Sequence, residues 1–320
     1  MKIALDAVAG NRGSGSNIEG AIQAANAWGL KILLVGPAAK LRSELAARSV
    51  AASDPRFEIL DAADAPVMAC ASAVAAGRAA AFVSSGPSGA TVAAALQRLG
   101  ALPGVLRPAI AVPIPTSRGI SVLIDAGASP DCGPEHLGQF GLMGAAYAQG
   151  CMGLERPTVA LLSTGPEETE GNELVRRALP LLKWSGLEFL GLIEGQDVST
   201  GAADVVVCEG FTGNVVLKLL EGTASMIFET LKTEMRDGLF RRMGGLLLRR
   251  PLARLKRRMS YDQYGGGVLL GVDGTAIVCH ARSNAKAVAN ALRLARELSS
   301  SGVNDRIRET LARTPVAQCA

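Results

Sequence analysis

Short apolar runs with no inside/outside alternation constrain this chain more than anything else in it. Ser121-Val122-Leu123-Ile124 and Thr158-Val159-Ala160-Leu161-Leu162 are examples. Strands of this kind are covered on both sides, as in a parallel sheet flanked by helices. Strand runs are expected at 2–8, 31–36, 56–60, 80–84, 108–113, 121–125, 158–163, 188–193, 204–208 and 276–280. Amphipathic stretches between them predict helices near 17–28, 38–48, 66–76, 89–99, 134–150, 171–185, 214–237 and 284–299. This alternation implies an α/β fold: a doubly wound, mostly parallel sheet in an α/β/α sandwich with right-handed crossovers. With 320 residues, 48% of them hydrophobic, the chain can bury such a core. No repeat or linker divides it, so a single α/β/α domain is expected over 1–300. The tail, 301–320, is expected to form a helical turn or two and then to be loose.

Several function classes are disfavoured. No apolar run approaches the roughly 20 residues that cross a bilayer. Met1–Asp6 enters a strand pattern at once, so no signal peptide is expected. Six scattered cysteines form no C-x-x-C pair, which fits reduced thiols in the cytoplasm. There is no P-loop, no G-x-G-x-x-G after the first strand and no G-x-S-x-G elbow. Two histidines and dispersed acids give no metal-ligand spacing. Neither a metal nor a cofactor is expected.

In a doubly wound sheet, ligands bind beyond the carboxyl ends of the strands. Glycine-, serine- and asparagine-rich segments fall at those ends. Glu209-Gly210-Phe211-Thr212-Gly213-Asn214 joins the run Val205–Cys208 to a long helical pattern. Free amides at a helix start favour an anion, so this junction is a candidate phosphate cradle. On this segment alone, a loop that only caps its helix is the commoner case. Ser84–Gly89, Asp125-Ala126-Gly127, Ser163-Thr164-Gly165 with Glu170-Gly171-Asn172-Glu173, and His280 follow other strands. Many neutral donors with few strong acids or bases suit holding a phosphate or a thioester carbonyl.

In order, six segments carry a resemblance. They are Met1–Ala7, Asp131–Leu137 with Gln139-Phe140 and Met143-Gly144, Gly171–Leu174, Glu209–Val215, Tyr264-Gly265-Gly266 with Leu269-Leu270-Gly271, and His280. Together they resemble the bacterial phosphate acyltransferase family PlsX over residues 1 to about 300. The resemblance implies a fold like that of isocitrate/isopropylmalate dehydrogenases and phosphotransacetylases. It implies attack of inorganic phosphate on the thioester of an acyl–acyl carrier protein, giving acyl phosphate for phospholipid synthesis. It also implies a homodimer without a redox cofactor.

On that reading Asn214, His280 and Asn172 are the candidate catalytic residues. Asn214 would contact phosphate or the thioester carbonyl. His280 would donate to that carbonyl or protonate the leaving thiolate. Thr212, Gly213, Gly171, Lys218, Ser85, Ser88, Gly89 and Asn11 would bind phosphate or substrate. Helix capping, a solvated lysine and a structural histidine are the alternatives. Cys132 and His136 suggest a pair, with a buried structural thiol as the alternative. Asp125 would orient a loop or form a turn. The chain departs from the family at Asn11, where an acid is usual, at Pro87, where the segment is usually Gly-Asn-Thr-Gly, and at Glu170, where a base is usual. These departures leave open a non-catalytic relative that binds carrier or membrane. A relative in specialised metabolism, with another acyl chain or a coenzyme A thioester, also stays open.

Net charge is +4, but from Gly238 to Arg258 eight Lys/Arg occur without an acid. They are Arg241, Arg242, Arg249, Arg250, Arg254, Lys256, Arg257 and Arg258, interleaved with leucines such as Leu246 and Leu247. Residues 238–260 thus read as a basic amphipathic insertion for an anionic membrane surface, an acidic carrier protein or the dimer interface. Gly244-Gly245 and Pro251 are expected to break it into short helices. With Phe240 its one aromatic, nucleic acid is not an expected partner.

Overall fold

The computed structural model describes residues 1–235 and 239–314, with backbone only at 239–243 and 261. The elements follow in chain order as β1 (Lys2–Asp6), α1 (Gly13–Trp28), β2 (Lys31–Gly36), α2 (Ala38–Ala46), β3 (Phe57–Asp61), α3 (Pro66–Ala75), β4 (Ala81–Ser84) and α4 (Ser88–Leu99). Next come β5 (Ala109–Pro115), β6 (Ile120–Ile124), α5 (Pro134–Met152), β7 (Thr158–Leu162), α6 (Glu173–Lys183), β8 (Glu188–Ile193), α7 (Gly195–Thr200) and β9 (Val205–Val207). The chain ends with α8 (Gly210–Glu234), α9 (Leu239–Met259), β10 (Gly267–Leu270), β11 (Ala276–Val278), α10 (Ala285–Ser299) and α11 (Val303–Arg313).

Among the described residues the strands form one sheet in the order β3-β2-β1-β4-β11-β10-β5-β6-β9-β7-β8. Burial on both faces explains the missing alternation. Ile3 and Leu5 pack under α1 and α10, while Ala4 between them packs under α3; all three are fully buried.

The sheet is two parallel blocks rather than one. β3, β2, β1, β4 and β11 run together, and so do β6, β9, β7 and β8. Between them β10 is antiparallel to both its neighbours, and β5 is antiparallel to β6. β5 belongs to both halves. Its residues 109–111 pair with β10 and residues 112–115 pair with β6. The two blocks therefore point in opposite senses along β5, and their carboxyl ends converge on its middle. That convergence builds the site.

Three sequence expectations change. β10 was not foreseen, because Gly266 and Gly267 break up its apolar run. α9 runs unbroken through Gly244, Gly245 and Pro251. The packed chain extends past residue 300: α11 buries Val303, Ile307 and Leu311, whose spacing of four makes one apolar face.

Candidate active site

The converging loops enclose a cavity of about 1400 Å³. Its near end is formed by Asn11, Pro87, Ser88, Asn214 and His280. From there it runs between β5 and α8 toward Leu255 and Met259 of α9.

Asp125 organises the near end. It is fully buried at the end of β6. Its carboxylate accepts amide hydrogen bonds from Ile110 (2.8 Å), Gly127 (3.1 Å), Ala128 (3.0 Å) and Ser129 (2.7 Å). Burial raises its pKa and these amides partly oppose the rise. The start of α8 lies directly on this turn: the Gly210 amide donates to Ser129 O at 2.9 Å. A Cβ on Gly213 would sit 1.9 Å from Asp125 O, so only glycine fits there. This close approach places Asn214 beside Gly127, within the cavity lining.

The expected cradle at Thr212 and Gly213 is not open. Glu209 caps its own helix, accepting from the Phe211 and Thr212 amides and from the Thr212 hydroxyl. The Gly213 amide donates to Glu209 O at 2.9 Å. A carboxylate already holds the donors an anion would need, and Thr212 and Gly213 are absent from the lining. Lys218, one turn further on, is exposed and lines the cavity.

His280 lines the same space, and its Nε2 lies 2.8 Å from Glu221 Oε1. Arg282 pairs with the other oxygen of Glu221 at 2.5 Å. Burial pushes the Glu221 carboxyl up, but His280 and Arg282 outweigh it, so its pKa is lowered. The Asn11 amide donates to Ala281 O and Arg12 Nε to Arg282 O, tying the loop after β1 to the loop after β11. Glu221 escaped sequence reasoning although a signal existed. It stands seven residues after Asn214 and three after Lys218, on the same helix face.

The loop after β4 is fixed by Ser84, whose hydroxyl donates to Asp6 Oδ2 (2.9 Å) and accepts from the Gly86 amide (3.1 Å). Ser88 opens α4, which has no side-chain cap, so amides of this first turn remain available beside the cavity. Pro87 sits just before the helix, where a missing N–H removes no helical bond. Ser85 is buried behind the lining and Gly89 is exposed outside it, so neither contributes to the wall.

Asn172 and Gly171 lie elsewhere. Asn172 is exposed and caps α6, accepting from the Val175 amide at 2.9 Å. The Gly171 amide donates to Thr164 Oγ1. Neither lines the cavity, because β7 is two strands away from β6. Glu170 folds back on its own loop, accepting from the Glu167 amide at 2.9 Å, and does not face the cavity. Cys132 and His136 do not pair. The thiol donates to Ser129 O, His136 Nδ1 accepts from the Gly133 amide, and burial pushes Cys132 up to about 12.

On α9, Arg249, Arg250, Arg254 and Arg257 are exposed, as are Leu246 (70%) and Leu247 (82%). The side chains of Arg241 and Arg242 lie outside the described residues. Arg258 reaches the residue that follows β5, donating to Thr116 O at 3.3 Å. Among the described residues no helix is long and apolar enough to cross a membrane.

Comparisons with known proteins agree with this architecture. The chain is 41% identical to a phosphate acyltransferase of Geotalea uraniireducens, over 97% of this chain and 94% of that protein. It is 42% identical to a phosphate acyltransferase of Elusimicrobium minutum, over 98% and 96%. Among solved structures, the EutD phosphotransacetylase from Staphylococcus aureus superposes with a TM-score of 0.62 over 93% of this chain and 94% of that one. At 16% identity that likeness concerns the fold alone. The family model described as "Fatty acid synthesis protein" matches residues 1–306, so the chain belongs to that family.

Proposed function

We propose that this protein transfers a fatty acyl group from a thioester to inorganic phosphate, releasing acyl phosphate and a free thiol for phospholipid synthesis. The observation that carries the reading is a single cavity with a donor-rich end and a long apolar wall, in a chain whose relatives are named phosphate acyltransferases. A phosphate oxygen attacks the thioester carbonyl carbon, the C–S bond breaks, and the thiolate leaves. Asn214 and the first-turn amides of α4 hold the anion and the carbonyl oxygen, with Lys218 adding positive charge. His280, steadied by Glu221, gives the departing sulfur its proton.

The acyl donor we favour is an acylated acyl carrier protein. Arg249, Arg250, Arg254 and Arg257 of α9 are exposed and offer a basic surface where an acidic carrier would dock. The same helix presents leucines among arginines, the composition of a peripheral element on anionic membrane. α8 leaves Phe211 (67%), Val215 (49%) and Leu219 (66%) exposed at fourfold spacing, a row suited to a second copy in a homodimer.

The test is release of free carrier thiol from acyl–carrier protein, with and without phosphate, and with coenzyme A thioesters in parallel. Absence of phosphate-dependent release from every donor would refute the reading and favour a non-catalytic relative. Preference for coenzyme A donors would move the protein to specialised metabolism. The acid at Glu170 is turned to its own loop and would not repel a phosphate in the cavity.

A further inference from the structure

The cavity is larger than the roughly 300–1,000 Å³ of ordinary small-ligand sites, and its lining follows α8 from Asn214 to Glu229. A phosphate and a thioester group would occupy only its near end. The remainder needs an occupant that is long and apolar.

We propose that Ala224 and Phe228 of α8 set the acyl-chain length this protein accepts. The inference rests on the acyl-transfer reading above. Asn214, Leu217, Glu221, Ala224 and Phe228 all line the cavity, and their spacing of three or four puts them on one face of α8. At the helical rise of 1.5 Å, Ala224 stands about 15 Å beyond Asn214 and Phe228 about 21 Å beyond it. β5 lines the opposite wall from Ile110 to Pro115, about 17 Å of extended chain.

Polarity changes along this row. The segment from Asn214 to Glu221 carries the reacting end, with Lys218 and His280 beside it. Beyond Glu221 the row itself is apolar, Ala224 then Phe228, with Ile114 opposite and Leu255 and Met259 of α9 beside it; Ser225, Glu229, Lys256 and Arg258 also border this end. Ala224 is only 8% exposed and is the smallest side chain of the row, so it leaves room where Leu217 does not. The next aromatic along the row, Phe228, stands where a longer chain would arrive. Small residue then bulky residue, one turn apart, makes a ruler: the first admits the chain and the second stops it.

The test uses the full-length protein and a series of saturated acyl–carrier proteins, reading kcat/KM with phosphate at each length. Each buried methylene is worth about fourfold, or about 0.8 kcal/mol. Ala224→Phe is therefore expected to lower the preference for a long chain over one four methylenes shorter by a factor on the order of 10². Phe228→Ala is expected to move the optimum toward longer chains. Opposite shifts in the two variants support the ruler. An unchanged profile in both, or an equal loss at all lengths in both, overturns it while leaving acyl transfer standing. If Ala224→Phe fails to fold, judged by its thermal melt, the direction of the Phe228→Ala shift decides alone. Wild-type protein inactive on every length would instead remove the acyl-transfer reading itself.

Discussion

Two glycines of the same helix should respond to alanine with opposite signs. At Gly213 the new Cβ would lie 1.9 Å from Asp125 O and 2.9 Å from Cys208 Sγ. Real contacts of this kind are not shorter than 3.0 Å, so α8 or the turn must retreat by about 1 Å. The turn resists, because the Asp125 carboxylate is bonded to four amides. Overpacking of this kind costs about 1–3 kcal/mol. Losing one or two of the amide bonds adds about 1 kcal/mol each. Better helix propensity returns about 1 kcal/mol. The net expectation for Gly213→Ala is a loss of about 1–4 kcal/mol. At Gly222 a Cβ meets nothing within 4 Å, so only the propensity remains and Gly222→Ala should gain up to about 1 kcal/mol. Urea denaturation of both variants and the wild type, at one protein concentration, reads the difference. A Gly213→Ala protein as stable as the wild type would show that α8 does not rest on the Asp125 turn, and the placement of Asn214 would fall with it.

Other predictions follow from the charged groups. Glu221→Gln should lower kcat by about 10–100-fold with a smaller change in KM, as expected for a group that steadies a proton donor; an unchanged kcat removes Glu221 from the reaction. Because the Glu221 pKa is lowered on folding, its stabilisation is present above 4.5 and lost as pH falls through the folded value. The stability gap between wild type and Glu221→Gln should therefore close in acid, and a gap independent of pH would contradict the pairing with His280 and Arg282. Asp6 behaves oppositely, since burial raises its pKa above 3.8. Its contribution is complete below that value and lost as pH rises through the folded one, so Asp6→Asn should gain stability relative to wild type between acid and neutral pH. Urea midpoints that keep a constant offset would argue against this. Replacing Leu246 and Leu247 together by glutamate should weaken sedimentation with anionic vesicles; equal binding by both proteins would remove α9 from the membrane.

Much of the fold was legible in the sequence. The strands announce themselves because burial on both faces leaves their residues uniformly apolar, as at Val205–Val207 and Leu161-Leu162. β10 was hidden because its pairing is supplied by β5 and β11, and two glycines at its start carry no apolar signal. α9 was misjudged because Gly244, Gly245 and Pro251 speak for local breaks only as a tendency. The cavity lining was legible where the chemistry and the loop position coincide, at Asn11, Ser88, Asn214, Lys218 and His280. It was misread where a residue's partners come from its own loop, as with Asn172 capping α6 and Glu209 capping α8.

The sequence by itself determined the class of fold, the family, and the strand-end loops that carry the polar residues. Local pattern suffices for these, since apolar runs and ordered motifs are written along the chain. Tertiary structure alone decided which loops share a cavity. β5 is shared by two oppositely directed blocks, and that reversal brings the ends of β1, β4, β6, β9 and β11 together while leaving the end of β7 outside. The helix start that looked like a phosphate cradle is closed by Glu209, and the glycine within it serves a 1.9 Å approach to a buried turn. No spacing along the chain encodes such contacts, because they depend on strand direction and packing between residues far apart in sequence.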